Sequence, residues 1–212
     1  MTAVAQPTPF AVTFAGTDER LLEALRAGRP GAWLAFYDRF APYVASVLRR
    51  IVGLDSELED LLQEVFARAL EGIGRVREAD RLKAWLRSLT VFTARATLKR
   101  RRWRSWVGLS PGEVEETALT SPTTTDTLEE RRALRRVKAI LDRMAVDDRI
   151  AFTLRYFEGL ELTEIAQTCQ VSLSTAKRRI WRADEYFGRA VKGEPELKGW
   201  LKTRDDSNGA AS

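Results

Sequence analysis

The segment 160–184 reads as a helix, a short turn and a second helix with two different faces. Apolar residues of the second helix recur at steps of three and four, as on a buried helical face: Leu173, Ala176, Ile180, Ala183 and Phe187. Polar and cationic residues recur on the opposite face: Ser174, Lys177, Arg178, Trp181 and Arg182. A helix that is buried on one side and cationic on the other suits the major groove of DNA. The plainer alternative is a solvated basic face on an ordinary surface helix.

A second cationic segment, at 95–104, strengthens the nucleic-acid interpretation. It contains no acid and six cations: Arg95, Lys99, Arg100, Arg101, Arg102 and Arg104. Clustered guanidinium groups bind phosphates through several hydrogen bonds and release counterions from DNA. The alternative is a solvated helix end, where cations interact favourably with the helix dipole. Trp103 and Trp106 offer planar faces for unpaired bases, but we expect them to be core anchors.

Composition excludes several kinds of site. The 212 residues include no histidine and one cysteine, Cys169, so histidine catalysis, an internal disulfide and a thiolate metal cluster are excluded. Cys169 is predicted to be a small core residue, and a lone cysteine fits a reducing cytoplasm. We expect no cofactor, no metal and no catalytic residue. No apolar run is long enough for a bilayer span, so we expect no membrane insertion.

The chain is predicted to be all-α, with two helical domains joined by a flexible acidic linker. The predicted divisions are a tail at 1–18, a domain at 19–107, a linker at 108–127, a helix-turn-helix domain at 128–190 and a tail at 191–212. The linker contains prolines, threonines and four acids but no base, and so long a structureless stretch is uncommon inside one domain. Within the first domain, Pro42 predicts a break in the helical pattern.

An acidic group opens the most regular helix of the first domain. Asp60, Gln63 and Glu64 lie off its apolar stripe, on its N-terminal side. Paired carboxylates can act in general acid–base catalysis, but neither histidine nor a polar pocket accompanies these residues. A solvated face or a surface that docks another protein is the better interpretation.

Four segments of the chain resemble bacterial RNA polymerase sigma factors of the extracytoplasmic-function (ECF) group, within the sigma-70 family. LEDLLQEVFARAL resembles the second conserved region of these factors, and LAFYDRFAPYVASVLRR resembles the helix that precedes it. LKAWLRSLT with the following arginines resembles the promoter-melting segment. DDRIAFTLRYFEGLELTEIAQTCQVSLSTAKRRIWRA resembles the fourth conserved region, which reads the promoter −35 element. The two regions in this order make the resemblance specific.

The resemblance implies an initiation factor that binds core RNA polymerase and promoter DNA and has no catalytic residue of its own. Asp60, Gln63 and Glu64 match positions that dock on the clamp helices of the polymerase. In these factors certain positions of the recognition helix contact −35 DNA, and they correspond here to Lys177, Arg178, Trp181 and Arg182. The segments 75–83 and 95–104 match surfaces that hold the −10 region and its displaced strand. An anti-sigma factor is a further partner that the resemblance implies.

Some positions depart from the usual pattern of the group. Phe92 and Ala96 stand where the melting helix usually has Asn and, four residues later, Asp, so the resemblance does not predict the −10 sequence. Gln170 stands where glycine is usual in the turn, which predicts a shifted or slightly strained turn because glutamine disfavours positive φ. Ala176 stands where a larger aliphatic residue is usual.

Three alternatives differ from an initiation factor in what they require. A helix-turn-helix regulator that works without polymerase would use its N-terminal domain for a ligand or for dimerisation. A nucleic-acid enzyme, such as a recombinase, requires a nucleophile or metal-binding carboxylates beside the cationic surface, whereas the acids here lie in the linker and at helix starts. A purely structural helical protein leaves the segregation of charge unexplained.

Overall fold

The computed structural model describes residues 16–53, 57–107 and 128–192, and within these segments the chain forms helices and no strand. This confirms the all-α prediction. The predicted linker at 108–127 and most of the two predicted tails lie outside the described residues. No described helix combines the length and the hydropathy needed to cross a bilayer.

The first half of the chain forms four α-helices. They are α1 (Asp18–Arg26), α2 (Ala32–Val52), α3 (Leu58–Gly72) and α4 (Leu82–Trp106). Two single-turn 3-10 helices, Ile73–Arg75 and Ala79–Arg81, connect α3 to α4. Leu61, Val65 and Ala69 of α3 are buried, as the apolar spacing predicts. The acidic group at the start of α3 is therefore held on the outer side of this helix.

The predicted break near Pro42 is wrong, because α2 continues through this residue to Val52. Proline lacks the amide hydrogen that would bond to the carbonyl of Asp38, four residues earlier. Both residues are exposed. Water can therefore hydrogen-bond the released carbonyl, and the helix tolerates the proline on its solvent side.

An aromatic cluster occupies the core of the first half. Phe36 is fully buried, and its ring meets the rings of Trp33 and Phe66 edge-on, with the ring centroids 5.5 Å apart in both pairs. The Phe40 ring lies 5.1 Å from the Phe36 ring. Replacement of a buried phenylalanine by alanine costs about 3–5 kcal/mol. This cluster thus contributes strongly to the packing of α2 on α3.

The second half forms four further helices. They are α5 (Leu128–Arg143), α6 (Val146–Tyr156), α7 (Leu162–Cys169) and α8 (Leu173–Lys192). Buried residues of α5, α6 and α8 form an apolar cluster that includes Val137, Phe152 and Phe187. The rings of Phe152 and Phe187 lie 4.8 Å apart. Their contact holds α6 and α8 side by side.

The two halves also pack against each other. One continuous apolar cluster contains Leu86 and Ala94 of α4 together with Ile150 and Leu154 of α6 and Ile165 of α7. Helix α4 contacts both α6 and α7, and α2 contacts α6. The sequence pattern does not predict this packing, because an amphipathic stripe indicates which face is buried but not which element covers it.

Candidate nucleic-acid interface

Helix α7 begins with reciprocal capping between two glutamates. The Glu161 backbone N–H donates to the Glu164 carboxylate at 2.9 Å, and the Glu161 carboxylate accepts the backbone N–H of Glu164. This arrangement satisfies two of the amide groups that a helix start leaves without an intrahelical partner. It fixes the point at which the chain enters the helix-turn-helix.

The turn between α7 and α8 lies where the sequence places it, and its strain is local. Gln170 adopts the left-handed conformation, with φ 54° and ψ 50°. The Val171 N–H closes the end of α7 by donating to the Ala166 carbonyl at 2.9 Å. Ser172 then caps the start of α8, since its Oγ accepts the Thr175 N–H at 3.2 Å. The turn is therefore strained rather than shifted, because a side chain at positive φ is disfavoured.

The buried face of α8 agrees with the predicted apolar stripe. Four of the five predicted residues are buried: Ala176, Ile180, Ala183 and Phe187. Leu173, at the first position of the helix, is 40% exposed. Ala176 is fully buried, so the small side chain at this position lies in a site that other residues fill. The orientation of the helix, and with it the outward direction of the cationic face, follows from this packing.

The cationic face of α8 points to solvent. Lys177 and Arg178 are exposed, and neither forms an ion pair with another described residue. Trp181 is 64% exposed. The Ser174 hydroxyl lies 3.0 Å from that of Ser172, at the start of the helix. Lys177, Arg178 and Trp181 can therefore contact a groove or a backbone without first leaving a partner among the described residues.

Arg182 differs from the other cations of this face. Its guanidinium donates to both carboxylate oxygens of Asp148, from Nε at 3.0 Å and from Nη2 at 2.6 Å. The hydrogen bonds to Asp148 raise the pKa of Arg182 above its usual value. About half of the side chain is still exposed, so Arg182 can reach a ligand while it remains tied to α6.

Arg179 and Asp147 form an ionic centre that the sequence analysis did not select. The Arg179 guanidinium donates to Asp147 Oδ2 at 3.1 Å, and the Asp147 Oδ1 atom lies 2.7 Å from Arg95 Nε. One carboxylate of α6 thus lies between a cation of α4 and a cation of α8. The paired aspartates at the start of α6 were visible in the sequence, but no local pattern shows that they meet Arg95.

The six predicted DNA-binding cations of α4 fall into two groups. Four are exposed and form no ion pair within the described residues: Lys99, Arg100, Arg102 and Arg104. The other two have acidic partners, because Arg95 lies against Asp147 and Arg101 donates to Glu57 at 3.1 Å. The six predicted DNA-binding cations of this helix therefore do not form one uniform surface.

The prediction that Trp103 and Trp106 are core anchors is wrong. Their side chains are 59% and 85% exposed, and neither ring contacts another aromatic ring among the described residues. Phe92, at the position where asparagine is usual, is also exposed, and the Arg68 guanidinium lies 5.2 Å from its ring centroid. Several aromatic faces on the outer side of α4 are thus available to a partner.

The acidic group of α3 is largely accessible. Asp60 and Gln63 are exposed, and Glu64 is partly exposed. The Glu64 carboxylate accepts the Arg68 guanidinium at 2.8 Å, one helical turn further on. The structure therefore brings the three predicted docking residues to one side of α3.

The described residues offer no group of three or more His, Cys, Asp or Glu side chains that could hold a metal ion. Cys169 is buried in the contact between α7 and its neighbours, as predicted. Burial raises the pKa of the Cys169 thiol, which keeps it protonated near neutral pH.

Two family models match the chain. The model for Sigma-70 region 2 matches residues 36–104, which run from α2 to the arginines of α4. The model for Sigma-70, region 4 matches residues 134–183, which run from α5 to α8. Together the two matches cover more than half of the 212 residues.

Two bacterial sigma factors align with this chain over most of its length and of theirs. The chain is 29% identical over 184 residues to the ECF RNA polymerase sigma-E factor of Escherichia coli, which covers 83% of this chain and 95% of that protein. It is 27% identical over 181 residues to the RNA polymerase sigma-H factor of Pseudomonas aeruginosa, which covers 82% of this chain and 94% of that protein.

Two solved structures share the fold at lower identity. CnrH in complex with the cytosolic domain of CnrY matches with a TM-score of 0.59 and 19% identity, over 84% of this chain and 99% of that one. The sigma factor RpoE in complex with the anti-sigma factor NepR from Bartonella quintana matches with a TM-score of 0.56 and 22% identity, over 74% and 95%.

Proposed function

Because the chain belongs to the extracytoplasmic-function group of the sigma-70 family of bacterial RNA polymerase sigma factors, we propose a division of labour between its two helical halves. The factor binds core RNA polymerase and promoter DNA and directs transcription initiation. The first half docks on the polymerase and holds the −10 region, and the second half reads the −35 element. Sigma factors are initiation factors rather than enzymes, and no residue of this chain receives a catalytic role. The chain acts in the cytoplasm, beside the polymerase.

The observation that best supports this function is that one chain has two different surfaces, a cationic helix face and an acidic surface. Lys177 and Arg178 project from a helix whose opposite face is buried, as a groove-reading helix requires. Asp60 and Glu64 project from a different helix, in the other half of the chain, and with Gln63 between them they form a polar, acidic surface suited to contact with a protein. A regulator that works without polymerase needs the first surface but requires no surface that docks on polymerase.

The cations of α4 give the first half its proposed DNA contact. Lys99, Arg100, Arg102 and Arg104 are exposed over two turns of one helix. Cations in such a row neutralise successive phosphates and release counterions. Arg95 and Arg101 join this contact only if they exchange their present carboxylate partners for phosphates.

The second half gives the proposed sequence readout. Lys177 and Arg178 lie in the first two turns of α8, the part of a recognition helix that reaches base edges. A lysine or arginine that contacts guanine atoms in the major groove discriminates between bases by about 1–3 kcal/mol. Ser174, Trp181 and Arg182 flank these two residues and position the helix on the duplex.

In vitro transcription tests the function directly. The purified chain is added to core polymerase and a genomic template library, and the start sites of the transcripts are mapped. We expect discrete transcripts that share upstream elements. If the chain neither co-elutes with core polymerase nor yields discrete transcripts, the proposed function is wrong. DNA binding without any polymerase dependence would support the independent regulator instead.

Alanine variants test the docking surface separately from folding. Combined replacement of Asp60, Gln63 and Glu64 should leave the melting temperature nearly unchanged, because exposed substitutions usually change stability by less than about 0.5 kcal/mol. The affinity for core polymerase should fall. Glu71→Ala is the matched control, because Glu71 is exposed near the end of the same helix. Equal affinity of the triple variant and the control would contradict the docking assignment.

A further inference from the structure

Helix α3, which holds the proposed docking surface, begins without a capping side chain. Its N-cap residue is Glu57, and the Glu57 side chain forms no capping hydrogen bond with the first turn of the helix. At the start of α7, by contrast, two glutamates cap the helix reciprocally. The first amide groups of a helix have no intrahelical partner, and helix ends tend to fray. The position of the α3 start therefore depends on contacts with the rest of the first half.

Arg101 of α4 supplies such a contact. Its Nη2 atom donates to the Glu57 carboxylate at 3.1 Å, and its Nη1 atom donates to the Val52 carbonyl at 3.4 Å. Val52 is the last residue of α2, and Glu57 is the residue directly before α3. One guanidinium thus bridges the end of one helix and the start of the next.

The two acceptors suit an arginine. The last carbonyls of a helix lack intrahelical partners and carry a partial negative charge, so a cation at the end of α2 is favourable. A guanidinium holds its N–H groups in a fixed plane and can serve a carbonyl and a carboxylate together, whereas a lysine ammonium is a compact charge on a flexible stem. The Arg101 side chain is 28% exposed, while its neighbours Arg100 and Arg102 are exposed. Arg101 therefore lies against the other helices of the first half.

The carboxylate that Arg101 holds belongs to the same side of α3 as the docking acids. Glu57, Asp60 and Glu64 follow each other at steps of three and four, which places them on one face of the helix. The Glu57 carbonyl accepts the Leu61 N–H at 3.0 Å, so Glu57 is joined to the first turn. Because hydrogen bonds also join the successive turns of a helix, displacement of Glu57 changes the direction of the acids that follow it.

We propose that Arg101 is a positioning residue for the polymerase-docking surface rather than a contact to a DNA phosphate. By bridging the end of α2 and Glu57, it fixes the start of α3 and the direction in which Asp60 and Glu64 point. Arg101 itself contacts neither polymerase nor DNA. This inference rests on the proposed function, since Arg101 serves docking only if α3 docks on polymerase.

The affinity of full-length variants for core polymerase tests this role. Arg101→Ala should weaken binding about fivefold, within the range of coupling between residues in contact. Arg101→Lys should lie between Arg101→Ala and the wild type, because an ammonium keeps the charge but does not serve both acceptors as a planar guanidinium does. The conservative variant also keeps the test valid if the alanine variant folds poorly, and circular dichroism shows whether each variant keeps its helices.

Two further measurements separate positioning from a general loss of structure. Amide hydrogen exchange in the first turn of α3 should become faster in Arg101→Ala than in the wild type, because the contact that holds this turn is lost. The double variant Arg101→Ala/Glu57→Ala should lose less polymerase affinity than the two single variants together, since both substitutions break the same ion pair.

Two cations of the first half provide matched controls. Arg20→Ala removes an exposed cation of α1 outside the proposed contacts and should leave polymerase affinity and hydrogen exchange unchanged. Arg102→Ala removes the exposed neighbour of Arg101. It should weaken DNA binding by the holoenzyme, while hydrogen exchange at the start of α3 keeps its wild-type rate.

The outcomes decide between the two roles of Arg101. Equal polymerase affinity of Arg101→Ala and Arg20→Ala, in helical proteins, overturns the positioning role, and so does unchanged hydrogen exchange at the start of α3. If Arg101→Lys binds polymerase as the wild type does, the charge alone matters and the bridge does not. The proposed function fails on a different readout, the absence of discrete transcripts with the wild-type factor, so the two failures are distinguishable.

Discussion

Helices α4 and α8 both carry a row of cations, yet they hold those cations in different environments. On α8, Lys177 and Arg178 are exposed and have no ion-pair partner among the described residues. On α4, Arg95 and Arg101 lie 2.7 and 3.1 Å from carboxylate oxygens. A cation that already has an acidic partner gains less from a phosphate, because the existing pair must first break. The spacing of charges shows where cations cluster, whereas packing decides which of them are available.

The largest effect is expected on α8. Lys177→Ala or Arg178→Ala should weaken binding of the polymerase holoenzyme to its cognate −35 site by about 1–3 kcal/mol and change binding to scrambled DNA little. Equilibrium titration on matched and scrambled promoters measures both. Arg189→Ala is the control, because Arg189 is an exposed cation of the same helix, three turns beyond the proposed contacts. Equal losses on both DNAs would show that α8 is only a cationic surface.

The salt dependence of binding should show the effect of packing on α4. Arg102→Ala should reduce the magnitude of the slope of log affinity against log salt by roughly 0.7–0.9, the range between single-stranded and double-stranded contacts. Arg101→Ala should change the slope less, because Arg101 is paired with Glu57. Titrations at several salt concentrations measure the slopes. If the two variants change the slope equally, the ion pair with Glu57 does not survive in the promoter complex.

The contrast between α4 and α8 also explains what the sequence could predict. The buried stripe of α8 followed directly from Ala176, Ile180 and Phe187, because helical spacing is a local property and the apolar face can only turn inward. The ion pair of Arg95 with Asp147 could not be predicted, because it joins residues 52 positions apart in different halves. Residue type identified the cations, but the neighbours of each cation depended on the tertiary packing.

Pro42 and the two tryptophans of α4 differ from the sequence prediction for related reasons. The sequence predicts a break of α2 at Pro42, but this residue lies on the solvent side, where water replaces the lost hydrogen bond. The sequence predicts Trp103 and Trp106 in the core because large aromatic side chains are usually buried, yet both lie near the end of α4, where no described element covers them. Whether Pro42 breaks its helix and whether the two tryptophans are buried both depend on which side of the helix faces solvent.

Trp106→Ala should therefore change stability very little. A side chain that is 85% exposed contributes little burial, so we expect the free energy of unfolding to stay within about 0.5 kcal/mol of the wild type. Trp33→Ala is the matched control, because that ring packs against Phe36, and it should cost more than about 1 kcal/mol. Denaturant unfolding measures both. A large loss with Trp106→Ala would mean that the end of α4 is covered in solution.

The smallest expected effect is a change in stability on substitution in the turn before α8. Whether stability rises or falls is informative. Gln170→Gly should leave stability unchanged or raise it by a few tenths of a kcal/mol, measured as the denaturant midpoint. Glycine removes left-handed strain of about 1–2 kcal/mol at φ 54°, although it loses about 0.5–1 kcal/mol through its greater freedom in the unfolded chain.

Gln167→Gly provides the matched comparison, since it is the same substitution three residues earlier. Gln167 is exposed within α7, where glycine relieves no strain and should destabilise the fold by about 0.5–1 kcal/mol. The two variants should therefore move the denaturant midpoint in different directions or by clearly different amounts. Equal destabilisation by both would mean that Gln170 makes a contact worth as much as its strain. In that case the glutamine side chain at this turn stabilises the start of α8.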